Sequence, residues 1–391
     1  MSHRPIYLDN HATTPVDERV LAAMLPYFSE HFGNAASINH YYGWEAEAGI
    51  KKARQIIAES INAIPEEIIF TSGATEANNL AIKGVAEAYF SKGRHIITVQ
   101  TEHNAVLAPC RYLQSLGFEV TFLPVQPDGL IDLKQLEQAF RPDTILVSVM
   151  AANNEIGVIQ PLAEIGAMCR ERSVLLHSDC AQAFGKIHLD VKAMNIDLMS
   201  LTAHKIYGPK GIGALYVRRR NPRVQLSPQI HGGSQEWGRR AGTLFTPQIV
   251  GFGKAVELAV TELETEGQRI AQLKQRLWEK LSQLQGIYLN GHPIKRLPCN
   301  LNISVEGVDG QALHLGLQPV VAVSSGSACS TAKTTPSHVL TALGLPENLA
   351  YASIRFGIGR YNTQEEIDKV AEHVIATIQA LRQAQIPIKT R

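Results

Sequence analysis

The chain has 391 residues, 45% of them hydrophobic, and its 37 basic and 36 acidic side chains leave a formal charge of +1. That length suits about two domains with a large core, and the even charge leaves no footprint for nucleic acid or an anionic membrane. No apolar run nears the roughly 20 residues that span a bilayer, and "MSHRPIYLDNHATTP" lacks signal or transit character, so a cytoplasmic protein without membrane or nucleic-acid partners is expected.

Along the chain, short β-rich runs alternate with helical patterns from about residue 66 to 218. The runs are "EEIIF", "HIITVQ", "FEVTFLPV", "TILVSVM", "VLLHSD", "IDLMSLT" and "GALYVRR". Helical spacing lies between several of them, as in "EHNAVLAPCRYLQSLG" and "PLAEIGAMCRERS". Such βαβ alternation predicts an α/β fold: a mostly parallel seven-stranded sheet covered by helices on both faces. An amphipathic pattern over 248–284 then reads as a linking helix out of the large domain, with a kink or break left open. "LPCNLNISVEG", "ASIRFGIG" and a closing helix near 364–383 predict a smaller α+β domain. The boundaries drawn are 16–260 for the large domain, with 1–15 and 261–391 forming the small one.

The five cysteines form no C-x-x-C or other framework spacing, which argues against a disulfide scaffold or zinc site and for a reducing compartment. Cys110 keeps helical company with Val106 and Leu113, and Cys169 with Leu162 and Ile165. Cys299 alternates with Leu297, Leu301 and Ile303 like one face of a strand. These three read as core. Cys180, at a strand end, is read as a small filler in preference to an oxidation-sensitive thiol. Cys329 is different, because "SSGSACSTAKTT" offers it almost nothing apolar to pack against.

Ligands of open α/β sheets bind beyond the carboxyl ends of the strands. There the sequence delivers Thr75, His103, Asn154, Asp179 with Gln182, and His204 with Lys205. Five such ends in succession predict an active site. Backbone amides of Gly73, Ala74 and Thr75, opening a helix, form an anion cup suited to phosphate, yet neither a Walker A nor a G-x-G-x-x-G motif is present. A lysine beside a phosphate cup can form a Schiff base with an aldehyde cofactor, and Asp179 can pair with a pyridine nitrogen. That combination points to pyridoxal 5'-phosphate. Lys210 is read as a loop charge.

"SGATEANN", "TEHNAVL", "NNEIG", "AHKIYGPKG", "GTL" and "SSGSAC" together resemble the cysteine desulfurases of the NifS/IscS type. The likeness runs from "YLDNHATTPVD" to "SIRFGIGR", nearly the whole chain. It implies a fold-type-I pyridoxal-phosphate enzyme of class V aminotransferase kind. It also implies a homodimer that converts L-cysteine to L-alanine and passes the sulfur to an iron–sulfur scaffold or other acceptor. By the same resemblance Lys205 holds the cofactor and acts as base, and His103 stacks on its ring and moves protons. Asp179 and Gln182 would meet the ring nitrogen and the phenolate oxygen. Ala74, Thr75, Thr202 and His204 would hold the phosphate, joined by Thr243 from the neighbouring subunit. Arg355, with Asn154 and Asn34, would take the substrate carboxylate. Cys329 would accept the sulfur, and no resident metal is implied, although persulfide or cluster transfer could pass through that cysteine. Ala35 replaces the family's usual proline, Thr202 a frequent serine, and Cys180 a more usual alanine. The alternatives on this scaffold are a selenocysteine lyase or a cystine C–S lyase. A plain class V aminotransferase would have no need of Cys329, and a non-catalytic sulfur carrier would not need Lys205 or Asp179.

Overall fold

A computed structural model describes residues 4–325 and 336–384 of the protein. The predicted seven-stranded sheet is present. Its strands are β2 (Ile68–Thr71), β3 (His95–Val99), β4 (Glu119–Leu123), β5 (Thr144–Ser148), β6 (Leu175–Asp179), β7 (Leu198–Thr202) and β8 (Gly213–Val217), preceded in the chain by a short β1 (Ile6–Tyr7). The order across the sheet is β2-β8-β7-β6-β5-β3-β4. Only β8 runs against its neighbours; the pairs among β7, β6, β5, β3 and β4 are parallel.

Period-2 alternation sorts the strand side chains between two apolar layers. Ile69, Ile96, Leu146, Leu175 and Leu198 meet the helices Ala74–Ala88 and Asn104–Ser115. Ile68, Phe70, Ile97, Val99, Val147 and Met199 face the other way. That second layer includes the helices Tyr41–Glu59 and Thr246–Leu281. Because both faces are covered, β3 and β5 to β8 are buried along their full length, which is why they read as continuous apolar runs.

The predicted linking helix is present as Thr246–Leu281. It is one continuous 36-residue helix, unbroken between the two parts of the chain. Its far half and the helix Gln364–Ala384 cover a three-stranded antiparallel sheet ordered β12-β10-β9. These strands are β9 (Ile287–Leu289), β10 (Asn300–Val305) and β12 (Ser353–Gly357), with β11 (Val321–Ala322) pairing in parallel with β1. Leu8 donates to Ala322 O and accepts from Gly357 N, so the N-terminal segment is stitched into the C-terminal part. No described helix is long and apolar enough to cross a membrane.

Candidate active site

A cavity of about 490 Å³ opens where β2, β3, β5, β6 and β7 end. Nine predicted residues line it: Ala74, Thr75, His103, Asn154, Asp179, Gln182, Thr202, His204 and Lys205. Parallel strands deliver them to one place because their ends share one edge of the sheet. Asn34, Thr243 and Arg355 do not line this cavity, and Cys329 lies outside the described residues.

One end of the cavity is built for an anion. Gly73 caps the helix Ala74–Ala88 with φ +151°, a backbone that side chains rarely adopt, and no side chain caps the helix in its place. Its first-turn amides are therefore left at the cavity wall beside Thr75, Thr202 and His204. Glu76, in the same turn and unforeseen from the sequence, accepts from Ser72 N and Arg240 Nε, each at 2.8 Å. Burial raises its carboxyl, but Arg240 and Ser72 outweigh that and hold the pKa below the usual value. Burial and then Lys205 and Lys210 push His204 down to about 4, so its ring is neutral at physiological pH. Its Nδ1 lies 3.1 Å from Thr13 Oγ1. Lys210 is exposed, as a loop charge should be, yet it also borders this cavity.

The opposite wall carries the ring-sized chemistry. Asp179 ends β6 with both oxygens held: Oδ2 accepts from Asn78 Nδ2 at 2.7 Å and Oδ1 from Ala181 N at 2.9 Å. Asn78 was missed; its only local signal is a polar residue at the helical spacing of the apolar Ala81, Ile82 and Val85, which are buried as it is. His103 caps the helix Asn104–Ser115, its Nδ1 accepting from Ala105 N at 3.1 Å, which leaves the proton of the neutral ring on Nε2. Burial is the main cause that lowers its pKa. The Gln182 amide donates to His11 O and meets His11 Nδ1, each at 2.9 Å.

Arg355 departs from the expectation of an open clamp. It is 2% exposed on β12, with Nη2 on Asp9 Oδ1 at 2.8 Å and Nη1 on Asn154 O at 2.9 Å. Its Nε and the Asn154 Oδ1 are both buried without a partner among the described residues. Asp9 lay in the quoted N-terminal motif, but the strand-end search could not reach it because it precedes the sheet. Asn34 is exposed and its Oδ1 accepts from Ala36 N in a local turn. Thr243 is exposed in the loop before the long helix. Cys110, Cys169, Cys180 and Cys299 are all free and buried, as core cysteines should be. Burial raises each thiol pKa, to about 12 for Cys110.

The family model "Aminotransferase class-V" matches residues 6–370. The chain is 54% identical over 384 residues to a mitochondrial cysteine desulfurase of Arabidopsis thaliana, covering 98% of this chain and 84% of that one. It is equally 54% identical to the cysteine desulfurase IscS of Rickettsia typhi, over 97% of this chain and 92% of the other. Among solved structures, a NifS-like protein superposes with a TM-score of 0.90 at 37% identity, covering 96% of this chain and all of that one. SspA in complex with cysteine gives 0.82 at 42% identity, over 92% of this chain and all of that one.

Proposed function

The chain belongs to the class-V aminotransferase family, and we propose that within it this protein is a pyridoxal-phosphate-dependent cysteine desulfurase. The observation that carries the reading is the convergence on one cavity of Lys205, Asp179, Gln182 and an uncapped helix N-terminus. Those groups fit the cofactor's aldehyde, ring nitrogen, phenolate and phosphate respectively. When bound, the cofactor supplies the electron sink that loosens bonds at the substrate Cα and Cβ.

The chain's own residues do the rest. Lys205, on the turn after β7, is assigned the cofactor-holding amine and the base for the Cα proton. Neutral His103, with its proton on Nε2, is assigned proton transfer over the ring face. Thr75, Thr202 and neutral His204 offer hydrogen bonds to a phosphate without adding a third positive charge beside Lys205 and Lys210. We assign the substrate carboxylate to the Arg355 and Asn154 region, whose Nε and Oδ1 still lack partners. For the arginine to engage it, the Asp9 contact must be shared or surrendered.

Cys329 is assigned the sulfur acceptor. Substrate sulfur is transferred to its thiolate, so that L-cysteine and an enzyme thiol become L-alanine and an enzyme persulfide. The four described cysteines support this by default, since each is buried and held protonated. A sulfur-acceptor protein, an iron–sulfur scaffold among the candidates, would then collect the persulfide.

We also assign a homodimer. Leu25, Phe28, Phe32, Tyr42 and Trp44 are all more than half exposed, a group of large apolar side chains of the kind a protein–protein contact covers. Phe28 stacks edge-on against Phe245, at a centroid distance of 6.3 Å, which makes that patch continuous with the loop of Thr243. A second copy seated there would bring Thr243 toward the neighbouring phosphate site.

Incubating the cofactor-loaded protein with L-cysteine, with assay of alanine and of the mass of the Cys329 peptide, tests the reading. Alanine in step with one added sulfur is expected. Turnover of selenocysteine or cystine with none of L-cysteine would favour the lyases instead.

A further inference from the structure

An amide side chain presents a donor on one side and an acceptor on the other, and only its N–H suits an anionic ring oxygen. Which way Gln182 points is fixed by a buried relay that starts in the C-terminal part of the chain. Arg296 Nη2 donates to Asn300 Oδ1 at 2.9 Å, and a guanidinium has no acceptor to offer. The Asn300 Nδ2 must therefore face the other way, where it donates to Glu155 O at 3.0 Å and meets His11 Nε2 at 3.2 Å. His11 Nε2 is thus an acceptor, which puts the ring proton on Nδ1, 2.9 Å from Gln182 Oε1. Gln182 then presents its nitrogen to His11 O at 2.9 Å, and the second hydrogen on that nitrogen has no partner among the described residues.

His11 is 1% exposed, Gln182 3% and Asn300 0%, so water does not compete for these bonds. Burial first, then Lys186 and Arg355, keeps the His11 ring neutral, with a single proton to place. Lys186 Nζ reaches Gln182 Oε1 at 3.4 Å and reinforces the same orientation.

We propose that His11 is a positioning residue that holds Gln182 with an amide hydrogen turned into the cavity, toward the phenolate oxygen of the bound cofactor. The proposal rests on the cofactor reading above and adds to it a residue that does not itself touch the cofactor. It also ties the cofactor's electronic state to Asn300 and Arg296, which lie beyond the long helix.

The test is a pH titration of the visible absorbance band of the cofactor-loaded protein. A phenolate that loses a donor keeps more negative charge and holds the chromophore's exchangeable proton more tightly. Gln182→Leu should therefore raise the pKa of the spectral transition by about one pH unit, the size of one hydrogen bond to a charged oxygen. His11→Asp, an acceptor only, should force Gln182 to turn its nitrogen away from the cavity and raise the pKa at least as much. His11→Leu covers the case in which the aspartate variant does not fold, and should give a smaller rise. His11→Asn, whose Nδ2 can donate from nearly the position of Nδ1, should stay near the wild-type value. An unshifted Gln182→Leu overturns the assignment of Gln182 to the phenolate, and this proposal with it. A shifted Gln182→Leu beside unshifted His11→Asp and His11→Leu overturns the role of His11 alone.

Discussion

Under the proposed assignments Lys205 and Cys329 divide the chemistry, and their variants should fail differently. Lys205→Ala should lose the visible band of the lysine-bound cofactor and all turnover; a variant that kept both would remove the residue from its role. Cys329→Ser should keep the band and its response to L-cysteine while alanine and sulfide production collapse, since serine cannot carry a persulfide. Added sulfur found on Cys180 instead would contradict its complete burial. Asp17 gives a pH prediction of opposite character. Arg19 foremost, with Arg360, holds its carboxyl well below the usual carboxylate range. Its folded-state pKa is thus the lower one, so the stabilisation is present above about pH 4 and lost as pH falls further. Asp17→Asn should cost about 1–3 kcal/mol in denaturant melts at pH 7, discounted for the half-exposed Arg19, and the deficit should shrink at pH 3.

At the scale of elements, the contact between the helices Tyr41–Glu59 and Thr246–Leu281 is set by Gly253. A Cβ there would lie 2.7 Å from Ala53 Cα, backbone that cannot swing aside. Gly253→Ala should therefore destabilise by roughly 1–3 kcal/mol in chemical melts, despite the better helix propensity of alanine. An unchanged midpoint would mean that the helices separate at no cost. Much at this scale was legible in the sequence. The seven strands and the polar residues at their ends follow from alternation and punctuation, which are local signals. Strand direction is not local, so nothing in "GALYVRR" marked β8 as the reversed member. Nor could a two-residue strand such as β1 announce itself. Asn78 and Asp9 escaped for a related reason: each acts through a partner, Asp179 or Arg355, that is more than 100 residues away in sequence.

For the whole molecule, the assigned dimer makes a prediction that a monomer cannot meet. Lys205→Ala chains and Thr243→Glu chains should each be inactive alone. Mixed and reassembled, the heterodimer would have one site with Lys205 from its own chain and Thr243 from the other, and activity should return. No recovery in dimers shown to have exchanged would place Thr243 in the site of its own chain. Apolar residues at positions 25–44 were visible in the sequence, but exposure depends on the rest of the fold, so their meaning was not. The same holds for Arg355: "SIRF" supplied an arginine, whereas its engagement with Asp9 required knowing that the N-terminal segment runs beside β12.

The reversed strand has a mechanical consequence. Because β8 turns back beside β7, with Thr202 opposite Gly213 and Ala203 N bonded to Ile212 O, Lys205 rides on a closed hairpin at the middle of the sheet. Both stems of that hairpin are buried, and β6, which ends in Asp179, lies alongside. The amine and the carboxylate are thus fastened to one rigid plate. Neither can drift relative to the other unless the sheet itself shears, so catalytic motion must be accommodated by what arrives at the cavity from outside the plate. Amide exchange at Leu201 and Ala214, which pair across the hairpin next to Thr202 and Gly213, should accordingly be among the slowest in the molecule, with or without cofactor.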